Sequence, residues 1–430
     1  MKRSLPLAAL VAAVVAFACV PQAVAAPVLI RAAHLFDGRS ATLRGPSTVL
    51  VDNGRIVAVG DNLAAPAGAQ VIDLGEATLM PGFIDAHVHI TDESSDNPYQ
   101  DFYRQSLRLP VEQSFYAAKY AKTTLLAGFT TVRVVGSDDF IDVGLRNAIN
   151  AGIATGPRII AAGYAIGSPG GQCDQSPFPP ERVKLRGPLQ GVCTGAEQCR
   201  EAVRLQMKFG ADVIKICASG GVLSESDPLE ASQLTVAELE AIVSEAHTWG
   251  RKVAAHAHGD HAAKLAVEAG VDSIEHGTFL TTDTLKLMKA KGTYLVPTRL
   301  AAFWVNQHAD AYPPPIAKKA RGIIAQHADM VRNANRLGVP MAFGTDSAVS
   351  PHGMNAREFS LLTELGVTPA NVLLSATRDG ARLLGVDAET GSIEAGKSAD
   401  LVAVPGNVFD HIDATEHPSF VMMRGEIVLH

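Results

Sequence analysis

The sequence predicts an α/β fold, a (β/α)8 barrel carrying a small sheet domain built from both chain ends. Three observations carry that reading. Through about 300 central residues, apolar runs ending in polar or Gly-rich residues alternate with amphipathic helical stretches. Both ends instead show short alternating stretches without helical periodicity. No GxGxxG follows the first central strand, which removes support from a dinucleotide-binding open sheet.

The chain has 430 residues, 47% hydrophobic and 19% charged, a composition that excludes a disordered polypeptide. Its length suits one large α/β domain with an appendage, or two to three ordinary domains. A formal charge of −7 without any basic patch argues against nucleic acid as the main partner.

Residues 1–25 read as a secretory signal. Lys2 and Arg3 start it, Leu7 to Val20 form an apolar run, and Ala23-Val24-Ala25 is an A-x-A cleavage site. The run is shorter than the roughly 20 residues needed to span a bilayer. A lipoprotein reading, with Cys19 acylated, lacks the Leu expected before that cysteine. Without Lys2 and Arg3 the chain has 35 basic against 44 acidic residues, a net charge of −9. An exported protein, periplasmic or secreted and free of the membrane after cleavage, is expected.

Residues 26–80 alternate as VLIRAAHLFDG and TVLVDNGRIVAVG, with Asn53-Gly54 as a hairpin turn. Residues 388–430 mirror them with GSIEAGKSADLVAVPG and FVMMRGEIVLH, so the two ends are expected to pair. Between them, residues 81–387 hold the barrel. Its strands are read at TTVRVVG, PRIIAAG, ADVIKICASGG, RKVAAHAHG, VDSIEHG, TYLVPT and VPMAFGTD. Its helices read best at VEQSFYAAKYAKTTLLAG, AEQCREAVRLQMKFG, TVAELEAIVSEAHTWG and HAAKLAVEAG.

Four cysteines follow the signal, too few for a disulfide scaffold. A Cys173–Cys193 bridge would pin a Pro/Gly-rich loop, although Cys199 competes for either partner. Cys217, inside the apolar run VIKICA, reads as a buried free thiol. No CxxC pair exists, which argues against a thiolate zinc site.

Barrel strands deliver their C-terminal residues to one face. Here those residues are Asp85, His87 and His89 (FIDAHVHI), Lys215, His256 and His258 (HAHG), His276 (EHG) and Asp346 (GTD). One strand-end histidine is ordinarily a hydrogen-bonded structural residue; so many at successive strand ends indicate a shared site. His87 and His89, two apart on a strand, point to the same side and can chelate one ion. Imidazole and carboxylate suit zinc, manganese or iron. Lys215 is the odd member. An ammonium beside divalent metal is repelled, so this lysine must be neutral, modified or turned away.

PGFIDAHVHI, the strand-end lysine, HAHG, EHG and GTD resemble the metal-dependent amidohydrolase superfamily, and the resemblance covers nearly the whole chain after the signal. AGFTTVRVVG, GADVIKICASGGVLS and VDSIEHGT are similar to its prolidase-like branch of Xaa-Pro and Xaa-Arg dipeptidases, to which bacterial enzymes hydrolysing ochratoxin A are also similar. The resemblance implies a distorted TIM barrel with a β-sandwich formed by the chain ends, and a homo-oligomer, often an octamer. It further implies two zinc ions, bridged by a carboxylated Lys215 and a hydroxide. His87 and His89 match the ligands of the more buried ion, and His256 and His276 those of the second. Asp346 matches the aspartate that binds the first ion and shuttles the proton. Asp85 is expected to orient the HxH segment rather than ligate.

The substrate expected from the resemblance is a small peptide or N-acyl amino acid, cleaved to release a C-terminal apolar or aromatic residue. A cyclic-amide hydrolase or imidazolonepropionase-like enzyme is the alternative, and a non-catalytic exported metal- or solute-binding protein a more distant one. His258 is expected to face substrate or support the ligands. His352, in the loop after Asp346, is a substrate contact or a solvated loop residue, and Arg299 holds a substrate carboxylate or a surface ion pair. The segment PTRLAAFWVNQHADAYPPP reads as a selecting loop, its Phe303, Trp304 and Tyr312 lining an apolar pocket or packing the loop.

Overall fold

The computed structural model describes residues 26–174, 180–182, 184–225 and 227–430. The segment read as an export signal, with Cys19, lies outside them. In the N-terminal segment, β1 (Val28–Ala32), β2 (His34–Leu35), β3 (Ser47–Asp52), β4 (Arg55–Gly60), β5 (Gln70–Asp73) and β6 (Thr78–Pro81) follow one another. Asn53 (φ 47°) and Gly54 (φ 74°) both take positive φ, the two-residue turn that suits strand twist, and β3 pairs antiparallel with β4 across it.

The barrel strands are β7 (Phe83–Val88), β8 (Phe129–Val134), β9 (Arg158–Ala161), β10 (Val213–Cys217), β11 (Lys252–Ala257), β12 (Ser273–His276) and β13 (Tyr294–Val296). Then come β14 (Leu401–Val404), β15 (Phe420–Met423) and β16 (Glu426–Leu429). One sheet has the order β4-β3-β1-β5, and a second runs β16-β15-β14-β6-β2, mixing strands from both chain ends.

These two sheets form a sandwich. In β14 and β15 the period-2 alternation divides the side chains between two cores. Leu401, Ala403, Phe420 and Met422 pack with Ile30, Val49 and Leu79 inside the sandwich. Val402, Val404, Val421 and Met423 join the large barrel core instead. The central strands β15, β14 and β6 of the five-stranded sheet are therefore buried on both faces and cement the chain ends to the barrel.

The parallel sheets β7-β8-β9 and β10-β11-β12-β13 close into a ring. Ile166, just past β9, bridges Ile216 in β10. On the other side, residues 341–347 bridge β13 through Leu295 and Met341, and β7 through Val88 and Ser347. The expected eighth strand, VPMAFGTD, thus occupies its place as irregular chain held by isolated bridges rather than as a regular strand. Helices at Pro110–Leu126, Ala196–Lys208, Val236–Thr248 and Asp260–Ala269 stand where periodicity placed them. Thr235 and Glu238 close a capping box at the third of these. No helix among the described residues is long and apolar enough to cross a membrane.

Of the pairings the sequence left open, only Cys193 with Cys199 forms. Cys173 is bonded to Cys217 and Cys193 to Cys199. Cys217 is therefore no free thiol. Ile166 lies against Ile216, and that bridge brings the following loop across the end of β10, where Cys173 meets Cys217. The segment read as the aromatic loop also differs, because Arg299–Gln307 within it is a helix.

Candidate metal centre and active site

Two groups of potential ligands meet at the C-terminal mouth of the barrel: His87, His89 and Asp346, and His256, His258 and His276. Within each group the ligand atoms all lie within 4.8 Å of one another. Strand register explains the convergence, since β10 to β12 align Cys217 with His256 and Ala257 with His276. Lys215, pointing inward two residues before Cys217, lines the same cavity as both groups, and that cavity has a volume of about 330 Å³.

Each histidine has one nitrogen occupied by a supporting contact. His87 Nδ1 donates to Glu275 Oε2 at 2.7 Å, and its Nε2 lies 3.4 Å from Asp346 Oδ1. His89 Nδ1 faces the Gly136 carbonyl at 3.2 Å, leaving its Nε2 also 3.4 Å from Asp346 Oδ1. His256 uses Nε2 on the Gly220 carbonyl, so Nδ1 is its open nitrogen. His258 and His276 place Nδ1 2.7 Å from the hydroxyls of Thr278 and Thr298. Such contacts fix tautomer and ring orientation, the usual support of a ligating imidazole. His276 (φ 69°), Thr298 (φ 51°) and Asp346 (φ 60°) all adopt left-handed backbone conformations, a concentration of strain at the site.

Burial governs the electrostatics. It draws His256 down to about 4 and His258 and His276 well below the ordinary range, so all three are neutral at pH 7. Burial also pulls Lys215 down to about 8, against the attraction of Glu275 and Asp346. For Asp346 burial acts upward, but His87, His89 and Lys215 outweigh it and hold the carboxyl at about 2. Glu275 is likewise held at about 2, because Arg133, His87 and Lys215 overcome its burial.

Glu275, Arg133, Thr278 and Thr298 escaped the sequence reading. A signal existed for the first two: opposite charges inside the apolar strands TTVRVVG and VDSIEHG, which a buried sheet tolerates only when paired. Asp85 is buried and accepts hydrogen bonds from the His87 and Thr345 backbone amides and from the Thr345 hydroxyl and Asn355 amide. It ties the HxH segment to the irregular eighth strand.

The structure separates several expected residues from the cavity. His352 stacks on Tyr120 at 4.7 Å and turns Nε2 to the Asp92 carbonyl. It is buried there, outside the walls of the cavity, and so is no solvated loop residue. Arg299 is buried outside the cavity walls, with its guanidinium donating to the Ile324 carbonyl at 2.9 Å, and so is no surface ion pair. Phe303, Trp304 and Tyr312 are absent from the walls as well. The helix presents Ala301, Ala302 and Val305 to the cavity and packs Trp304 on His308, 4.1 Å between ring centroids. His258 is brought into the second ligand group itself.

Two groups of imidazole and carboxylate donors, without thiolate and with a cavity before them, suit hydrolytic divalent metals. The chain belongs to the amidohydrolase family, whose profile matches residues 78–428. Ochratoxinase from Aspergillus niger is 30% identical over 416 residues, covering 91% of this chain and 84% of the relative. A crystal structure of a Xaa-Pro dipeptidase with bound methionine superposes with a TM-score of 0.90 at 37% identity, covering 94% of this chain and all of the other. The A. niger ochratoxinase structure gives 0.82 at 27% identity, covering 94% and 95%. The expected TIM barrel with its small β domain is therefore the fold, and the protein is a metal-dependent hydrolase of amide or peptide bonds.

Proposed function

We propose that the protein is a binuclear zinc amidohydrolase that cleaves a linear amide and releases the amino acid on its carboxyl side. The observation carrying this reading is the meeting of two candidate ligand groups and Lys215 in one cavity. His87, His89 and Asp346 would hold one ion; His256 and His276, with His258 within reach, would hold the other. Lys215, carboxylated, would bridge them. Its depressed pKa supports this, because the uncharged amine is the form that reacts with carbon dioxide. Metal bound there would polarise the amide carbonyl and ease ionisation of water at neutral pH.

The chain's own residues then do the rest. Asp346, ionised and fixed between His87 and His89, takes the proton of the attacking water and delivers it to the leaving nitrogen. Glu275 keeps His87 in the tautomer whose Nε2 faces the centre. Val222, Leu223, Ala302, Val305 and Ile323 form an aliphatic wall beside the ligands, which supports an apolar side chain on the released residue. The names of the relatives support dipeptides and N-acyl amino acids, with ochratoxin A among the candidates.

Two disulfides support the export expected from the sequence. Tyr99, Tyr103, Leu107, Leu109 and Phe115, all exposed within one short stretch, support the homo-oligomer. The test combines zinc titration of metal-stripped protein with turnover of Asp346→Asn. Two zinc ions per chain and a fall in kcat of about 10²–10⁴-fold with the fold retained are expected. One ion per chain, or near-wild-type turnover in the variant, would contradict the reading.

A further inference from the structure

We infer that Lys319 is a positioning residue of the substrate pocket. Its ammonium clamps the turn after β10, so that Val222 and Leu223 stay in the apolar wall that receives the released side chain. The inference rests on the amide-hydrolase reading and names the group that sustains its preference for apolar residues.

Lys319 stands in the helix Pro314–Leu337, outside the walls of the cavity. Its side chain is mostly buried, and Nζ donates to three carbonyls of one turn: Gly221 at 3.0 Å, Ser224 at 2.7 Å and Asp227 at 2.6 Å. Three acceptors match the three protons of an ammonium. The Asp227 carboxylate supplies the counter-charge, with Oδ1 3.8 Å from Nζ. Its Oδ2 accepts from the Gly221 amide at 3.3 Å and from Gln233 Nε2 at 2.7 Å, closing the turn on itself. The turn belongs to no helix or strand. A lysine on a helix almost a hundred residues further along the chain therefore gives it the hydrogen bonds that a ladder gives a strand.

Two residues of this turn face the ligand cavity. Val222 and Leu223 line it together with Ala302, Val305 and Ile323. Val222, Ala302, Val305, Ala320 and Ile323 pack in a small cluster of their own, separate from the barrel core. Wall and clamp share a helix, since Ile323 follows Lys319 by four residues and lies on the same face. The wall is thus not carried by the packing of the barrel. Val222 reaches it on a turn held by polar contacts, and Leu223 remains 38% exposed. The other end of the stretch is fixed separately. The Gly220 carbonyl, which faces His256 Nε2, accepts from the Ser219 hydroxyl, and Ser219 bridges Ser232. Loss of the clamp should therefore loosen the wall and leave the candidate ligands in place.

Lys319→Met keeps the apolar stem and removes the three donors. A wall in place about a tenth of the time lowers apparent affinity about tenfold for any substrate that uses it. In the metal-loaded full-length protein, KM for glycyl-phenylalanine and glycyl-leucine should rise about tenfold. Their kcat and the metal content should stay within twofold, because the wall holds substrate and transition state alike. KM for glycyl-glycine, whose released residue has no side chain, should also stay within twofold. Lys319→Arg keeps the charge but spreads its donors in a fork, and its KM for glycyl-phenylalanine should fall between those of wild type and Lys319→Met. It carries the comparison alone if Lys319→Met does not fold. A rise shared by all three dipeptides, a rise in none, or a loss of metal would overturn the inference. Absence of wild-type turnover on all three would contradict the functional reading instead. Calorimetric binding of free phenylalanine to wild type and Lys319→Met then decides the role of Lys319: about tenfold weaker binding upholds it, and equal binding overturns it.

Discussion

His87 Nδ1 lies 2.7 Å from Glu275 Oε2, and the other oxygen of that carboxylate meets Arg133 at 2.8 Å. Three strands, β7, β12 and β8, are thereby joined inside the barrel by a relay that ends on a candidate ligand. Arg133 is only 1% exposed and Glu275 fully buried. Ionic groups are retained at such depth only when each satisfies the next.

Glu275→Gln breaks this relay at its centre. It leaves Arg133 buried without a counter-charge, with an expected cost of roughly 3–5 kcal/mol. It also loosens His87, which should weaken metal binding about 10–100-fold. Chemical denaturation and zinc titration read the two effects separately. Unchanged zinc affinity in a folded variant would remove Glu275 from the support of the centre.

Lys215→Ala should purify with less than half of the wild-type metal. Short carboxylates such as formate or propionate should restore part of the metal and of the activity by replacing the missing anionic bridge. Metal analysis with and without the additive checks this. A fully metallated Lys215→Ala protein would contradict the bridging role.

Glu358 predicts a pH dependence of stability. Burial pushes it up to about 8, against hydrogen bonds from the Arg299 and Leu300 amides. The folded state therefore keeps a proton that the unfolded state has released above about 4.5, and stability falls as pH rises from there to 8. The buried histidines act oppositely, but their effect is confined below about 6.5. Between pH 6.5 and 8 the metal-free protein should lose stability with a slope that Glu358→Gln flattens. Denaturation midpoints across that interval measure it, and an equal slope in both proteins would refute the assignment.

The two disulfides should differ in weight. Cys173–Cys217 closes a span of 44 residues and Cys193–Cys199 one of 6. Loop-closure entropy gives about 4 kcal/mol for the first and about 2 kcal/mol for the second. Paired serine replacements compared by denaturation would check the order, and a larger loss from removing the shorter loop would contradict it.

The barrel and its candidate ligand histidines were legible because their signals are local. HxH on a strand, glycine after His258 and His276, and alternation at both termini are short-range patterns with direct structural meaning. What stayed hidden depends on distant chain meeting in space. Cys217 looked like core because only the return of the loop through Ile166 brings Cys173 to it. Arg299 and the nearby aromatics looked like a selecting loop because the helix Arg299–Gln307, which turns alanines and Val305 to the cavity, is set by packing rather than by a cap. His352 is placed by a similar meeting of distant chain, since Tyr120 and the Asp92 carbonyl, both in the segment that follows β7, hold its ring.

The most direct test of amide hydrolysis is mass-spectrometric product analysis of the zinc-loaded protein. The panel would hold Xaa-Pro, Xaa-Arg and Xaa-Phe dipeptides, N-acyl-phenylalanines including ochratoxin A, and cyclic amides. Release of a free amino acid from the carboxyl side of a linear substrate is the expected result, with apolar residues preferred. Ring-opened products alone, with every linear amide intact, would contradict it and leave a cyclic-amide hydrolase built on the same ligands.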